Sequence, residues 1–439
     1  MNTGAHIRQT LSLSIPLIFG QLAMLSMGFV DTVMVGRLGA LELSAVGIGG
    51  AVWLTLALFV IGVLMMLPPT ISHLIGEDRR DKVGYVVHQA FYIALVLGIL
   101  LTLALRSCEP VLNVLNIAPD IIEVTMRYLR ATSWGAPAFT VFLMLRMTSE
   151  GLAMTRTSMA FGILGLLINI PSNYILIFGH LGFPQLGAEG AGFATSVVQW
   201  VQLIALYLWG RIAFRGTRIY ESLALPDWSR IGELLHLGLP IGIAVFIEGS
   251  LFGMVALLLG SFGINVVAAH QVAINFSGLL FMVPLGISTV VTIRVGEAYG
   301  RGDQQGIRDA ARAGFIIVLC TQILSASLIL LFADNIASLY TDDLVVINIA
   351  LQFLFLAAVF QIPDGIQVVS AGALRGLKDT RIPMVYTIIA YWLIGIPGGY
   401  LLGITFAYGA EGIWWGLILG LTVAAVLLYR RFRHRQQAL

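Results

Sequence analysis

Between Gly238 and Gly260 the chain reads GLPIGIAVFIEGSLFGMVALLLG, an apolar stretch that carries one charged side chain, Glu248. A helix rises about 1.5 Å per residue and a bilayer core is about 30 Å thick, so ~20 such residues cross it. Similar blocks recur along all 439 residues, separated by short polar breaks. Hydrophobic residues make up 58% and charged ones 11% of the sequence, against about 25% charged in a soluble domain. The expectation is a polytopic, all-α membrane protein. Twelve spans are expected near residues 10–35, 46–72, 86–106, 124–146, 157–179, 188–210, 234–260, 268–293, 309–332, 346–370, 382–404 and 410–429. The first runs past signal-peptide length without a small-residue cleavage pattern, so it is read as a retained span.

Twelve spans place both termini on one side. The breaks after even-numbered spans hold EDRRDK, the segment Arg146–Arg156, GRIAFRGTR, RVGEAYGRGD, RGLKDTR and the tail RRFRHR. Arg37, Arg106, Arg127 and Arg130 fall on the other side, leaving 21 of the 25 Lys and Arg with the termini. By the positive-inside rule that side is the cytoplasm.

The chain also repeats itself. Pro16 matches Pro240, Gly39 matches Gly263, GLAMTR at Gly151 matches GLKDTR at Gly376, and GAEG at Gly187 recurs at Gly409, with offsets of 224, 224, 225 and 222 residues. A common shift of half the chain implies a duplication. Six spans per half put both halves in the membrane in the same sense, so the two six-helix bundles should be related by a pseudo-twofold axis along the membrane normal. The expected organisation is a first lobe at 1–210, a cytoplasmic linker at 211–233 and a second lobe at 234–439. Such paired bundles suit alternating access around a site between repeats.

Two acids stand out against the apolar background. Glu248 lies about 22 Å along its helix from Glu233, and Asp364 about 16 Å along its own from Arg375, which puts them at similar depth. A carboxylate there costs a few kcal/mol unless it is protonated, paired or facing a wet cavity. Asp31, six residues before Arg37, is a third, nearer the outer face. Every Lys and Arg falls in a loop or near a span end, so the uncompensated deep charges are expected to be all negative. A site of carboxylates suits a cation, whether proton, sodium or organic. Pro363, directly before Asp364, removes a backbone donor and bends the helix beside the acid.

At these residues the chain resembles the multidrug and toxin extrusion (MATE) family, in its NorM branch. The resemblance spans essentially the whole chain and rests on GFVDTVMVGRLGA, FIEGSLFGMVALL, VVAAHQVAINFSGLLFMVPLGIS and DGIQVVSAGALRGLKDT. It implies a V-shaped pair of six-helix lobes in the bacterial inner membrane. The implied activity is export of bulky, mostly cationic drugs in exchange for sodium or protons, by a monomer that meets membrane lipid, needs no cofactor and binds no nucleic acid. The family's cation-binding acids carry over to Glu248 and Asp364, where a sodium ion would be held, and its first-lobe acid to Asp31. Substrate contacts are implied for Asp31, Gln271, Asp342, Asp343 and Phe360. Sodium-binding relatives often have a tyrosine one turn before the tenth-span acid; here that position is Phe360, which keeps the ring but lacks the hydroxyl oxygen a hard cation prefers.

Other features favour plainer roles. His270 has no second His or Cys partner in sequence and reads as a packed histidine, and NFS at Asn275 lies within a span. Cys108 and Cys320 match no metal or redox spacing. The 48 glycines imply close helix packing. Asn169, Pro171 and Asn173 fit either a cavity lining or a helix bend. Two alternatives to drug export are a flippase for lipid-linked precursors, which should carry cavity Arg or Lys, and an intramembrane enzyme, which should pair a nucleophile with a base or metal; neither pattern is present in the sequence.

Overall fold

A computed structural model describes residues 3–115 and 117–439, and among them every regular element is helical. In a bilayer an unpaired backbone group costs several kcal/mol, and a helix satisfies its own. In the first half the helices are α1 (Thr3–Gly36), α2 (Ala40–Leu64), α3 (Leu67–Gly76), α4 (Val83–Arg106), α5 (Glu109–Val114), α6 (Pro119–Ser133), α7 (Ala136–Gly151), α8 (Arg156–Phe178) and α9 (Ala188–Ala213). The second half contributes α10 (Trp228–Gly260), α11 (Ile264–Gly300), α12 (Gln304–Leu331), α13 (Ala333–Ser338) and α14 (Leu344–Gly376). It ends with α15 (Arg381–Ile388), a π-helical stretch at Ile389–Gly395, α16 (Ile396–Tyr400), a second π-helical stretch at Leu401–Thr405, and α17 (Gly409–Gln437).

Eleven helices among the described residues are long and apolar enough to cross a membrane. The expected fourth span is met by α6 and α7 in succession, interrupted at Trp134–Gly135, where Pro137 has no N–H to donate. Neither piece alone is of spanning length. Their polarity is arranged for lipid: on α4 the apolar Val96, Ile99, Leu100 and Leu103 are exposed at helical spacing, while His88 and Gln89 are buried.

The duplication extends to unusual backbone angles. Gly39 and Gly263, which precede α2 and α11, have φ of +130° and +104°; Gly187 and Gly409, which precede α9 and α17, have +59° and +67°. Asp78 and Gly302 form a further pair at +57° and +68°, and Ala153 and Lys378 another at +59° and +57°. In the last pair the hydrogen bonds match as well: the turn after α7 closes with Met154 N–H donating to the Ser149 carbonyl, and the turn after α14 with Asp379 N–H donating to the Leu374 carbonyl. Both are Schellman-type helix ends.

The chain packs as two units, one comprising Phe19–Gly238 and the other Leu239–Leu439 with the residues up to Ile18. The start of α1 is held in the second unit by Arg294, whose guanidinium donates to the His6 carbonyl at 3.0 Å and the Thr10 hydroxyl at 2.5 Å. In the first unit, Gly20 lies so close to α8 that an added Cβ would sit 2.6 Å from the Ser158 carbonyl oxygen. In the second, Gly395, Gly399 and Gly403 meet Gly412, Gly416 and Gly420 of α17; a Cβ on Gly416 would fall 2.2 Å from the Gly399 backbone. The abundance of glycine thus serves helix contact at these positions.

The connector between α9 and α10 is strapped to α4. Tyr92 Oη donates to the Ala224 carbonyl at 3.0 Å, Gln89 Nε2 to the Leu225 carbonyl at 3.1 Å, and Asp227 N–H to Gln89 Oε1 at 2.8 Å. His88 bonds through Nε2 with the Ile219 carbonyl at 2.8 Å, and its Nδ1 accepts from Ala224 N–H at 3.2 Å. Tyr85 Oη donates to the Asp227 carboxylate. Tyr85, His88, Gln89 and Tyr92 stand at i, i+3, i+4 and i+7, one face of a helix.

Candidate functional site

In the second unit, α14 carries Asp364 at 3% exposure, with Pro363 before it and Gln367 one turn on. The Gln367 amide donates to Glu248 of α10, and the two acids interact electrostatically. The sequence expectation that no cation serves these acids needs correction. Arg375 lies near enough to Glu248 for their charges to attract, and its Nη2 also donates to the Ser288 hydroxyl at 3.0 Å. The along-helix distance from Asp364 gave no hint of this, because Glu248 comes from a different helix. Tyr391, from the first π-helical stretch, lies within electrostatic range of both carboxylates.

Apolar walls surround the cluster. Phe360, one turn before Asp364, is buried and tilted against Trp414 with ring centroids 6.1 Å apart. Trp414 also stacks on Phe353 at 5.3 Å and takes the edge of His270 at 5.5 Å, which gives His270 the packing role its sequence context suggested. Gln322 Nε2 donates to the Gln361 carbonyl at 2.7 Å and to its side-chain oxygen at 3.0 Å, bracing the helix next to Pro363.

The first unit has its own buried acid. Asp31 Oδ1 accepts from Asn169 Nδ2 at 2.9 Å and Asn173 Nδ2 at 2.5 Å, and Thr195, whose hydroxyl donates to the Ala191 carbonyl at 3.0 Å, lies beside this carboxylate. Asn169 and Asn173 are one turn apart on α8, on either side of Pro171. Their side-chain carbonyl oxygens are buried with no hydrogen-bond partner among the described residues. Tyr128 lies within electrostatic range of Asp31. The asparagines therefore do more than bend the helix: they hold a carboxylate and present two neutral oxygens beside it. Nearby in chain order but separate, Glu150 is paired with Arg146 at 3.0 Å and accepts from Ser158 at 2.7 Å.

The remaining candidates are exposed. Gln271 is exposed on α11, and Asp342 and Asp343 precede α14. Asp343 caps that helix, its carboxylate accepting from Val345 N–H at 2.8 Å. Sequence reasoning missed Gln367, Tyr391, Arg375, Tyr128 and Thr195. A polar residue three positions after Asp364 on the same helix was a usable signal for Gln367; the others are brought in by tertiary packing. No cluster of three or more His, Cys, Asp or Glu side chains suited to a metal occurs among the described residues.

A duplicated set of membrane-length helices that buries an acid in each unit, Asp31 in one and Asp364 in the other, is the architecture of a polytopic membrane transporter. The MatE family model matches residues 16–175 and 240–401. The chain is 46% identical over 438 residues to a probable multidrug resistance protein NorM of Xanthomonas campestris, covering 99% of this chain and 95% of that one. It is 43% identical to the multidrug resistance protein MdtK of Cronobacter sakazakii, with 98% and 96% covered. Its fold matches an outward-facing multidrug resistance MATE family transporter with a TM-score of 0.91 at 22% identity, covering 99% and 96% of the two chains. The eukaryotic MATE transporter AtDTX14 matches with a TM-score of 0.88 at 20% identity, covering 99% and 100%. The chain belongs to the MatE family, and it is a multi-pass membrane transporter rather than an enzyme.

Proposed function

We propose that this transporter exports bulky organic cations by antiport against sodium or protons, with Glu248 and Asp364 binding the coupling ion. The observation that carries the reading is the pairing of Glu248 and Asp364 across α10 and α14, with Asp364 almost fully buried. Two interacting carboxylates in an apolar wall cannot both remain charged without cost, so a proton or sodium ion stabilises the pair and its departure destabilises it. A drug cation competes for the same negative potential. Binding of one ion and one drug in turn is what antiport requires. Gln367 orients Glu248 towards the shared space, and Arg375 limits how much negative charge the pair accumulates.

Asp31, with its asparagine frame, is a second negative site that receives a cation in the first unit, either ion or substrate. Gln271, Asp342, Asp343 and Phe360 complete the proposed substrate contacts. The lobes rock in alternating access, as a monomer, in a bacterial inner membrane with both termini in the cytoplasm. The names of the curated relatives, multidrug resistance proteins, support the substrate class. The test is drug uptake by everted vesicles with the sodium and proton gradients imposed separately. Uptake driven by either gradient supports antiport; uptake indifferent to both removes the reading.

A further inference from the structure

The Phe360 ring offers no oxygen where sodium-binding relatives often have one, yet the same cluster contains a phenol from another direction. Tyr391 is 0% exposed, and its hydroxyl makes no hydrogen bond among the described residues. A buried hydroxyl without a partner carries a desolvation penalty, and such groups in a native fold call for a functional explanation. The phenol lies within electrostatic range of Glu248 and Asp364 alike.

The backbone that delivers Tyr391 is itself unusual. It belongs to the π-helical stretch Ile389–Gly395, and the Ile396 N–H donates to the Tyr391 carbonyl, a bond of the i to i+5 type. One-turn π segments are uncommon and recur at functional sites, where the extra residue re-aims a side chain. Next in sequence, Trp392 Nε1 donates to the Ser250 hydroxyl at 3.2 Å, tying the stretch to α10 two residues beyond Glu248. A further unpartnered acceptor is present in Gln367 Oε1, whose amide nitrogen serves Glu248.

We propose that the Tyr391 hydroxyl is a sodium ligand that replaces the oxygen missing at Phe360, completing with Glu248, Asp364 and Gln367 Oε1 a set of four oxygen-bearing side chains around one monovalent cation. This rests on the reading of Glu248 and Asp364 as the ion site and adds to it a choice of ion. A proton needs a carboxylate and nothing more; sodium, a hard cation, needs several oxygens. A phenol can offer a lone pair to the ion while its O–H points to a carboxylate oxygen. Tyr391 is thus the residue that makes the site competent for sodium.

The experiment uses the full chain, purified in lipid nanodiscs, with radioactive sodium binding at fixed pH and thermal unfolding in sodium-free buffer as the two readouts. Tyr391→Phe should lower sodium affinity at least tenfold and leave sodium-free stability equal to or above that of the parent protein. A group that only packs cannot give that combination. Adding Phe360→Tyr to Tyr391→Phe should recover sodium binding by restoring a hydroxyl from the other side. Undiminished sodium binding by Tyr391→Phe alongside loss of binding in Glu248→Gln overturns the ligand role and leaves the acid site standing. Lower stability of Tyr391→Phe without sodium makes the hydroxyl structural and also overturns it. Undiminished binding in the Glu248→Gln, Asp364→Asn double variant removes the underlying ion site, and absence of sodium binding by the parent protein removes the choice of ion.

Discussion

Gln367 sits one turn beyond Asp364 on α14 and donates its amide to Glu248 of α10, so a single helix face holds one acid and steers the other. In the proposed antiport the two carboxylates act as one ion-binding unit.

The first prediction follows from that unit. Glu248→Gln and Asp364→Asn keep size and remove the titratable oxygen, and a neutral amide is no more costly in lipid than the carboxylate it replaces. Both variants should reach the membrane folded and still bind drug. Drug release triggered by a sodium or proton pulse should fall at least tenfold in each. Measured in proteoliposomes, release at the parent rate in the double variant would return both acids to a packing role. Gln367→Ala should show a smaller defect, since it frees Glu248 without removing its charge.

Asp31 answers to a different frame. Its carboxylate accepts from Asn169 and Asn173, and each hydrogen bond to a charged group contributes about 1.5–3 kcal/mol. Asp31→Asn retains an acceptor oxygen but loses the charge. We expect impaired export and a destabilisation of about 1–3 kcal/mol confined to the first unit. If the ion site is confined to the second unit, sodium or proton binding measured by calorimetry should persist. Loss of all ion binding in this variant would instead make Asp31 part of the coupling machinery.

Much of this architecture was legible in the sequence, for physical reasons. Span positions follow from apolar length, and the half-chain offset linking Gly39 to Gly263 and Gly151 to Gly376 is matched by the positive φ of Gly39, Gly263, Ala153 and Lys378. Glu248 and Asp364 were visible because charge in an apolar run is expensive. Arg375 was misjudged: its place on α14 suggested a helix end away from the acids, whereas the crossing of α10 decides which charges meet. Tyr391 was hidden because a tyrosine in an apolar span is ordinary, and the π-helical backbone that aims it leaves no signature in spacing. The polar face Tyr85, His88, Gln89 and Tyr92 was there to be read, but its partner was a connector without periodicity.

Asp342 and Asp343 separate a cap from an electrostatic lure. Asp343 caps α14, and asparagine is as good an N-cap as aspartate. The double change to Asn should therefore preserve folding while removing two negative charges. Export of dications should drop several-fold more than export of neutral substrates, read as initial rates in cells. Equal losses for both would assign the pair to structure.

Helix contact is tested at Gly416. A Cβ there would meet Gly399 at 2.2 Å and the Gly395 carbonyl oxygen at 2.8 Å, and neither is a flexible side chain that can swing away. Gly416→Ala should cost about 1–3 kcal/mol, the range for overpacking, and Gly416→Leu more. Gly253, with no neighbour near its Cβ position, should accept Ala with little change. Comparison of the unfolding temperatures of Gly416→Ala and Gly253→Ala checks this; equal values would mean that the backbones can separate at no cost.

The strapped connector makes a prediction about pH. The Tyr85 hydroxyl, first among the groups bonded to Asp227, holds that carboxyl below its ordinary value of 3.8, aided by the N–H groups of Arg230 and Ser229. A depressed folded-state value means the contact contributes fully above the unfolded value and is lost as pH falls through the folded one. The strap should thus be intact at neutral pH and loosen progressively below about pH 4. Amide hydrogen exchange at Ala224 and Asp227, both bonded to α4, reports the opening directly after correction for the intrinsic pH dependence. In Tyr85→Phe the protection of Asp227 should be lower at neutral pH and should vary less on acidification. Protection that is unchanged by this substitution would mean that Gln89 and His88 hold the connector without the phenol.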